Sequence, residues 1–355
     1  MPSFLNSKKA HLLSTMIDNA LLLAGDIGGT KTTLALYHQG QSPAHPLAQH
    51  TFQNSRATDF HQLIERFLQQ TKSSPGFACF GIAGPVLGNQ AEMTNLDWTI
   101  SGEDLQQQFH FQQAFLINDL VATTMGAVLL PVADLQTLNI GSPVAGSAVA
   151  VLAPGTGLGQ SFLTYDGTQL VPHPSEGGHI SFAPRDTRQM QLLAHLQQKY
   201  AHVSAERVCS GSGLPNLLDF MQTQIPMPPQ FTHDLASAID KTPVIVSTAL
   251  EALHNNQTNH IALQTVFLFV DILADQAANL ALTTMALGGI FLGGGLAPRL
   301  APFINQEHFM TLFTRGIYHD LLQNIPIKII INPQTATMGA AAYGFQKIAT
   351  LKNIS

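Results

Sequence analysis

Residues 21–37 read LLLAGDIGGTKTTLALY, and the fold follows from how this stretch is interpreted. An apolar run leads to Asp26, the glycine pair Gly28-Gly29 comes next with Thr30 and Lys31, and a second apolar run closes the segment. The pattern predicts a β-hairpin whose tight turn carries backbone N–H groups and a hydroxyl beside a carboxylate. Glycine lets the backbone approach a ligand closely, and a concave row of N–H groups attracts phosphate. An Asp at the strand end is placed to hold the metal that accompanies that phosphate. The same letters also make an ordinary hairpin turn, because D-x-G-G is common turn chemistry. The rest of the chain decides between the two.

Beyond the polar loop 39–46, Phe60, Leu63, Ile64, Phe67 and Leu68 recur at helical spacing. FACFGIAGPV, residues 77–86, then predicts a short buried strand ending in a Gly-Pro turn. Strand, helix and strand in that order argue for an α/β layer. MTNLDWTISGEDL, residues 93–105, carries the single tryptophan, Trp98, and a capping box from Ser101 to Asp104. In FQQAFLINDL, residues 111–120, Ala114–Ile117 reads as a strand with Asn118 and Asp119 at its carboxyl end. That end is where α/β sheets place their chemistry, although Asp119 serves equally well as a cap for the helix that follows.

The opening pattern recurs in AVAVLAPGTGLGQSFLTYDG, residues 148–167: apolar run, Gly-Thr turn, apolar run, turn. Two such hairpins can hold one polyphosphate between them. In VPHPSEGGHISFAPRD, residues 171–186, Glu176 and His179 flank two glycines in a turn too short to be a helix. A carboxylate and an imidazole at that spacing can grip vicinal hydroxyls; half a metal site or a structural histidine are the alternatives. AERVCSGSGLPNLLDF, residues 205–220, adds Glu206, either a second hydroxyl acceptor or a surface charge. The longest helical pattern, Gln264–Leu287, is apolar around much of its circumference and is expected to be buried. IFLGGGLAPRL, residues 290–300, predicts a strand, a glycine triplet with room for a flat group such as adenine, and a helix start near Pro298. The last block, residues 327–349, reads as a buried strand, a turn and a helix whose small residues permit close packing.

At 355 residues the chain is long enough for two domains with cores of their own. A hydrophobic content of 45% against 11% charged residues marks a compact globular protein. A net charge of -6 supplies no footprint for nucleic acid. There is no basic amphipathic run for a membrane surface, and no window is expected to span a bilayer without polar breaks. Cys79 and Cys209 stand isolated, which argues against a disulfide framework or a cysteine zinc cluster and suits a reducing compartment. Residues 1–20 read as a variable extension, since a signal peptide would be cut immediately before a strand the fold needs. A cytoplasmic location is expected.

Eight motifs stand in a fixed order: GDIGGTK at 25–31, TN-x-x-W at 94–98, IND at 117–119, GTGLG at 155–159, EGGH at 176–179, ERV-x-SG at 206–211, GGG-x-AP at 293–298 and MGAAA at 338–342. In these the chain resembles the bacterial hexokinase-type glucokinases of the actin-like ATPase superfamily. The resemblance implies an α/β, two-domain actin-like ATPase (ribonuclease H-like) fold. A small α/β domain, 21–129 plus 333–355, and a larger α+β domain, 130–332, would flank a hinged cleft. It further implies ATP-dependent phosphorylation of the 6-hydroxyl of glucose, with Asp119 as the general base. Asn95, Asn118, Glu176, His179 and Glu206 would hold the other hydroxyls. Gly25, Asp26, Ile27, Gly28, Gly29, Thr30 and Lys31, with Gly155, Thr156 and Gly157, would bracket the phosphates of ATP. Asp26 would stand by Mg²⁺, through phosphate or water, and Gly293, Gly294 and Gly295 would line the adenosine site.

The implied partners are a small-molecule sugar and a nucleotide, with neither nucleic acid nor membrane; a homodimer is common in the family but no residue here reveals one. The chain lacks the cysteine-rich zinc motif that the wider repressor and sugar-kinase set carries after its EGGH-like block, which favours the glucokinase branch. It departs from the usual glucokinase pattern at two residues and in the N-terminal extension. Lys31 stands where many of these glucokinases have Asn, and Pro154 where small residues are usual. Other readings keep the kinase and change the sugar, to mannose or an N-acyl hexosamine, or change the donor to polyphosphate or ADP. A catalytically silent sugar sensor is a further alternative, against which the extension is too short for a DNA-binding helix pair.

Overall fold

The computed structural model describes residues 20–93 and 96–352. Two compact units divide the chain: one joins the residues up to Pro131 with those from Asn332 on, and the other is Val132–Ile331.

The first unit is built on strands β1 (Leu21–Ile27), β2 (Lys31–His38), β3 (Ala48–Gln53) and β4 (Phe77–Ile82). A small antiparallel sheet follows from β5 (Val86–Leu87), β6 (Gln90–Met93) and β7 (Trp98–Ser101), and then β8 (Gln113–Asn118) returns to the main layer. The main sheet has five strands in the order β3-β2-β1-β4-β8, antiparallel from β3 to β1 and parallel from β1 to β8. Successive residues of a strand face opposite sides, so β1 divides its apolar side chains between two cores. Leu23 and Ile27 pack with Leu34, Phe80 and the helix α1 (Phe60–Thr71), which contributes Phe60, Leu63, Ile64 and Phe67. Leu22 and Ala24 pack on the other face with Tyr37, Cys79 and the small residues Ala340 and Ala341 of the C-terminal helix, Thr335–Lys352. Each fully buried Phe or Leu here contributes roughly 1.5–3 kcal/mol.

Helix α1 starts at Asp59, whose side chain accepts the Gln62 N–H at 2.9 Å, and ends at Lys72 in the left-handed region. Helix α2 (Gly102–Phe109) starts at Ser101, which accepts the Asp104 N–H at 3.3 Å. This is the forward half of the capping box expected there. Helix α3 (Asp119–Ala127) leaves the end of β8 and crosses the C-terminal helix at backbone contact. A Cβ on Gly126 would collide with the Thr335 carbonyl, and one on Gly339 with the Ala122 carbonyl. The small-residue composition of the last helix has its physical reason there.

The second unit contains β9 (Leu135–Asn139), β10 (Val149–Pro154), β11 (Leu158–Tyr165), β12 (Leu170–Ser175), β13 (Gly289–Leu292) and β14 (Ile327–Ile330), in the order β12-β11-β10-β13-β14-β9. Its first five strands repeat the first sheet: two antiparallel pairings through a hairpin, then two parallel ones. The duplication read in the two glycine hairpins therefore extends to a whole sheet, with β9 added antiparallel at the edge. Helices α4 (Thr187–Gln197), α5 (Leu214–Met221), α6 (Pro229–Ser237), α7 (Lys241–His254) and α8 (Ile261–Thr284) pack into its core, joined by Phe303, Phe309 and Phe313 from the segment that follows β13.

Helix α8 corrects two expectations. It runs over Ile261–Thr284, earlier than Gln264–Leu287, because Met285 turns into the left-handed region at φ 50° and ends it. It is also long and apolar enough to cross a membrane, where no such window was expected. Asp271 and Asp275 look like polar breaks, yet Asp275 is buried with a partner for each oxygen: Arg185 at 3.0 Å and Gln189 at 3.0 Å. Most of the helix, 83% of its most apolar window, lies inside the core of this unit.

Candidate active site

The first glycine turn is held from beneath by one residue. Asn54, on the short turn after β3 and only 2% exposed, donates from Nδ2 to the Gly28 carbonyl at 2.8 Å. Its backbone N–H reaches the Thr30 carbonyl at 2.9 Å, and its Oδ1 accepts the Thr32 hydroxyl at 2.8 Å. In a trans peptide the C=O and the following N–H point in opposite directions. Tying the Gly28 carbonyl inward therefore turns the Gly29 N–H outward. The N–H groups of Gly29 and Thr30 make no hydrogen bond to the described residues. Thr30 and Lys31 are exposed, while Gly25 and Ile27 belong to the core. A Cβ on Gly25 would lie 2.7 Å from Leu34 Cδ2, so packing explains that glycine.

Asp26 pairs with Gly81 of β4, which pairs with Ile117 of β8, so Asp26 and the Asn118-Asp119 pair lie at one carboxyl edge of three parallel strands. That separation is roughly 10 Å at the spacing of neighbouring strands. Burial raises the Asp26 carboxyl to about 6, against the pull of the Lys31 ammonium in the other direction. Gly81 lets the start of α3 sit down on the sheet, since its Cβ would meet Ala122 Cβ at 2.9 Å and lie 3.6 Å from Asp119 Cα.

Asn118, rather than Asp119, caps α3: its Oδ1 accepts the N–H groups of Leu120 at 2.9 Å and Val121 at 3.3 Å, and its Nδ2 donates to the Gly84 carbonyl at 3.1 Å. Asp119 is the first helical residue, half-buried, with Oδ1 on the Leu120 N–H at 2.9 Å. The capping role is thus taken by its neighbour. Asn95, expected beside the sugar, lies outside the described residues.

In the second unit the same device recurs with different parts. The carbonyls of Gly155 and Thr156 accept the N–H groups of Gly211 at 2.7 Å and Ser212 at 3.0 Å. The N–H groups of Thr156 and Gly157, facing the other way, make no hydrogen bond to the described residues. Behind this brace, the Thr242 hydroxyl donates to the Gly211 carbonyl at 2.7 Å. Pro154 is tolerated before the turn because its carbonyl does the bonding, accepting the Leu296 N–H at 3.0 Å. That bond brings the glycine triplet against the turn. Gly294 needs to be glycine, with φ +73° and its missing Cβ 2.6 Å from the Pro154 carbonyl, whereas Gly295 has nothing within 4 Å.

Glu206 and the EGGH block meet on the strand that leaves this turn. Glu206 Oε2 accepts the Leu158 N–H at 2.9 Å, and a Cβ on Gly178 would collide with the Leu158 carbonyl. Gly177–His179 forms a single 3₁₀ turn in which His179 Nε2 stands 3.9 Å from Glu176 Oε2, both side chains exposed. Within this unit, then, Gly155–Gly157, Gly293–Gly295, Glu176, His179 and Glu206 form one neighbourhood. Sequence reasoning missed Asn54, Gly81, Ser212 and Thr242, which act on residues far away in the chain.

Comparisons with known proteins agree on one family. A family model described as Glucokinase matches residues 23–347. A curated glucokinase of Nostoc punctiforme is 36% identical over 333 residues, covering 90% of this chain and 98% of its own length. One from Synechocystis is 34% identical over 351 residues, covering 91% and 98%. The crystal structure of a glucokinase from an Antarctic psychrotroph superposes with a TM-score of 0.79 at 28% identity, covering 92% of this chain and 99% of that one. A ROK family glucokinase from Streptomyces griseus, in complex with glucose and AMPPNP, shares the actin-like ATPase fold with a TM-score of 0.62 at 16% identity, covering 92% and 100%. Since the family model runs from β1 into the C-terminal helix, the chain belongs to the glucokinase family.

Proposed function

We propose that this protein transfers the γ-phosphoryl group of ATP to the 6-hydroxyl of glucose, giving glucose 6-phosphate and ADP. The observation that carries the reading is the pair of glycine turns, each with its carbonyls tied back and N–H groups left to face an anion. Phosphoryl transfer needs positioning and charge stabilisation above all, with one carboxylate to orient and deprotonate the attacking hydroxyl. Asp119 takes that role: it receives the 6-hydroxyl proton as the sugar oxygen bonds to phosphorus and the bridging oxygen leaves with ADP. Glu176, His179, Glu206 and Asn118, with Asn95, read the remaining hydroxyls, and a sugar lacking one would leave a polar group unpaired. Gly293–Gly295 receive the adenosine.

Asp26 suits Mg²⁺, because a partly buried carboxylate beside a phosphate turn is the single hard oxygen donor that such a cation takes while keeping its waters. The metal, when bound, neutralises charge on the phosphates. Glucose and AMPPNP in the Streptomyces griseus relative support ATP as donor. Glucose in a second relative, the Balamuthia mandrillaris glucokinase, supports this sugar over mannose, an N-acyl hexosamine or a silent sensor. Cys79 and Cys209, both buried free thiols, suit a cytoplasmic enzyme.

ADP formation with MgATP across glucose, mannose and N-acetylglucosamine tests this reading. The highest kcat/KM is expected for glucose; sugar binding with no turnover on any of the three would replace the kinase by a sensor.

A further inference from the structure

We propose that Asn54 is a positioning residue for phosphate, setting the first glycine turn in the form that presents its N–H groups to the nucleotide. The inference rests on the reading of that turn as a phosphate site.

Asn54 makes two hydrogen bonds to the turn and a third to Thr32 on β2, and is itself buried. The Gly28 carbonyl can only accept, so it takes the Nδ2 donor and fixes which way round the amide lies, leaving Oδ1 to accept the Thr32 hydroxyl. The Gly28 carbonyl has its partner in Nδ2, so the 28–29 peptide is held with the Gly29 N–H outward. At the other end of the turn the Asn54 N–H holds the Thr30 carbonyl, and the Gly28 N–H closes on the Lys31 carbonyl at 3.0 Å.

The second turn supports the comparison. There the carbonyls of Gly155 and Thr156 are held by main-chain N–H groups of Gly211 and Ser212, so the N–H groups that follow them are turned outward without a side chain. In the first turn the Gly28 carbonyl is held by one side-chain amide, and that amide can be changed without altering the main chain.

Asn54→Asp tests the role because it keeps the shape and replaces the Nδ2 donor by an oxygen facing the Gly28 carbonyl. Two acceptors then oppose each other in a buried place, and the peptide is free to rotate away. Tripolyphosphate binding, measured by calorimetry on the full chain, is expected to weaken about ten-fold. KM for MgATP rises in parallel, while KM for glucose and inhibition by adenosine stay within about two-fold of the unaltered protein. Thr32→Val, which removes the hydroxyl partner of Oδ1 and loosens the amide, shifts the same quantities in the same direction by less and serves if Asn54→Asp does not fold. Unchanged tripolyphosphate affinity in a folded variant, or equal weakening of glucose and phosphate ligands, would overturn the assignment. An unaltered protein that binds tripolyphosphate but fails to phosphorylate glucose with MgATP would instead sink the kinase reading and leave the role of Asn54 standing.

Discussion

The Glu206 carboxylate accepts the Leu158 N–H at 2.9 Å, so a group proposed to read a sugar hydroxyl also braces the strand that leaves the second glycine turn. The fit is close: a Cβ on Gly157 would collide with the same oxygen. One side chain thereby links the sugar and nucleotide roles proposed for the second unit.

Glu206→Ala is therefore expected to raise KM for both substrates, by about ten-fold each, the usual weight of a hydrogen bond to a charged group. Steady-state kinetics with glucose and MgATP varied in turn separates the two. A rise confined to glucose would show that the Leu158 contact is dispensable.

The proton on Asp26 gives a pH prediction. Its folded value of about 6 stands above the ordinary 3.8, so the native chain keeps a proton that the unfolded chain releases in between. The associated stability is complete below about pH 4, declines as pH rises, and is gone above about pH 6. Asp26→Asn should remove this slope and leave the protein more stable at pH 7, by at most about 3 kcal/mol. Because a cation needs the ionised carboxylate, KM for MgATP in the unaltered protein should rise as pH falls through about 6. Urea melts and kinetics at matched pH values check both.

Gly339→Ala places a methyl group against the Ala122 carbonyl and should destabilise the first unit by about 1–3 kcal/mol. Gly295→Ala meets nothing within 4 Å and should change stability by less than about 0.5 kcal/mol. Its effect is expected on nucleotide affinity, if adenosine lies where proposed. Denaturant melts of the two variants, with KM for MgATP, distinguish packing from binding.

Features that depend on neighbours in the chain could be read directly. The Ser101 cap, the helix from Phe60 and both glycine hairpins each follow from a few consecutive residues. The strand order could not be read, nor could the partners of buried polar groups, because both are set by residues distant in sequence. Asn54 follows an unremarkable exposed strand and shows its purpose only when β3 lies beside β2. Asn118 could be placed at a strand end, but not assigned the cap in preference to Asp119, since either letter suits an N-cap. The glycine triplet reads in sequence as room for a flat group; only the fold shows that Gly294 serves the backbone and Gly295 faces open space.

Asp119→Asn tests whether Asp119 is the general base. The amide can still accept the Leu120 N–H through Oδ1, so the start of α3 should be preserved. ADP release with glucose and MgATP is the quantity to measure, alongside glucose binding by calorimetry. A kcat lower by about 10²–10⁴-fold is expected with glucose affinity nearly unchanged, as for loss of a general base. A variant that binds glucose and turns over at more than about a tenth of the original rate would contradict it.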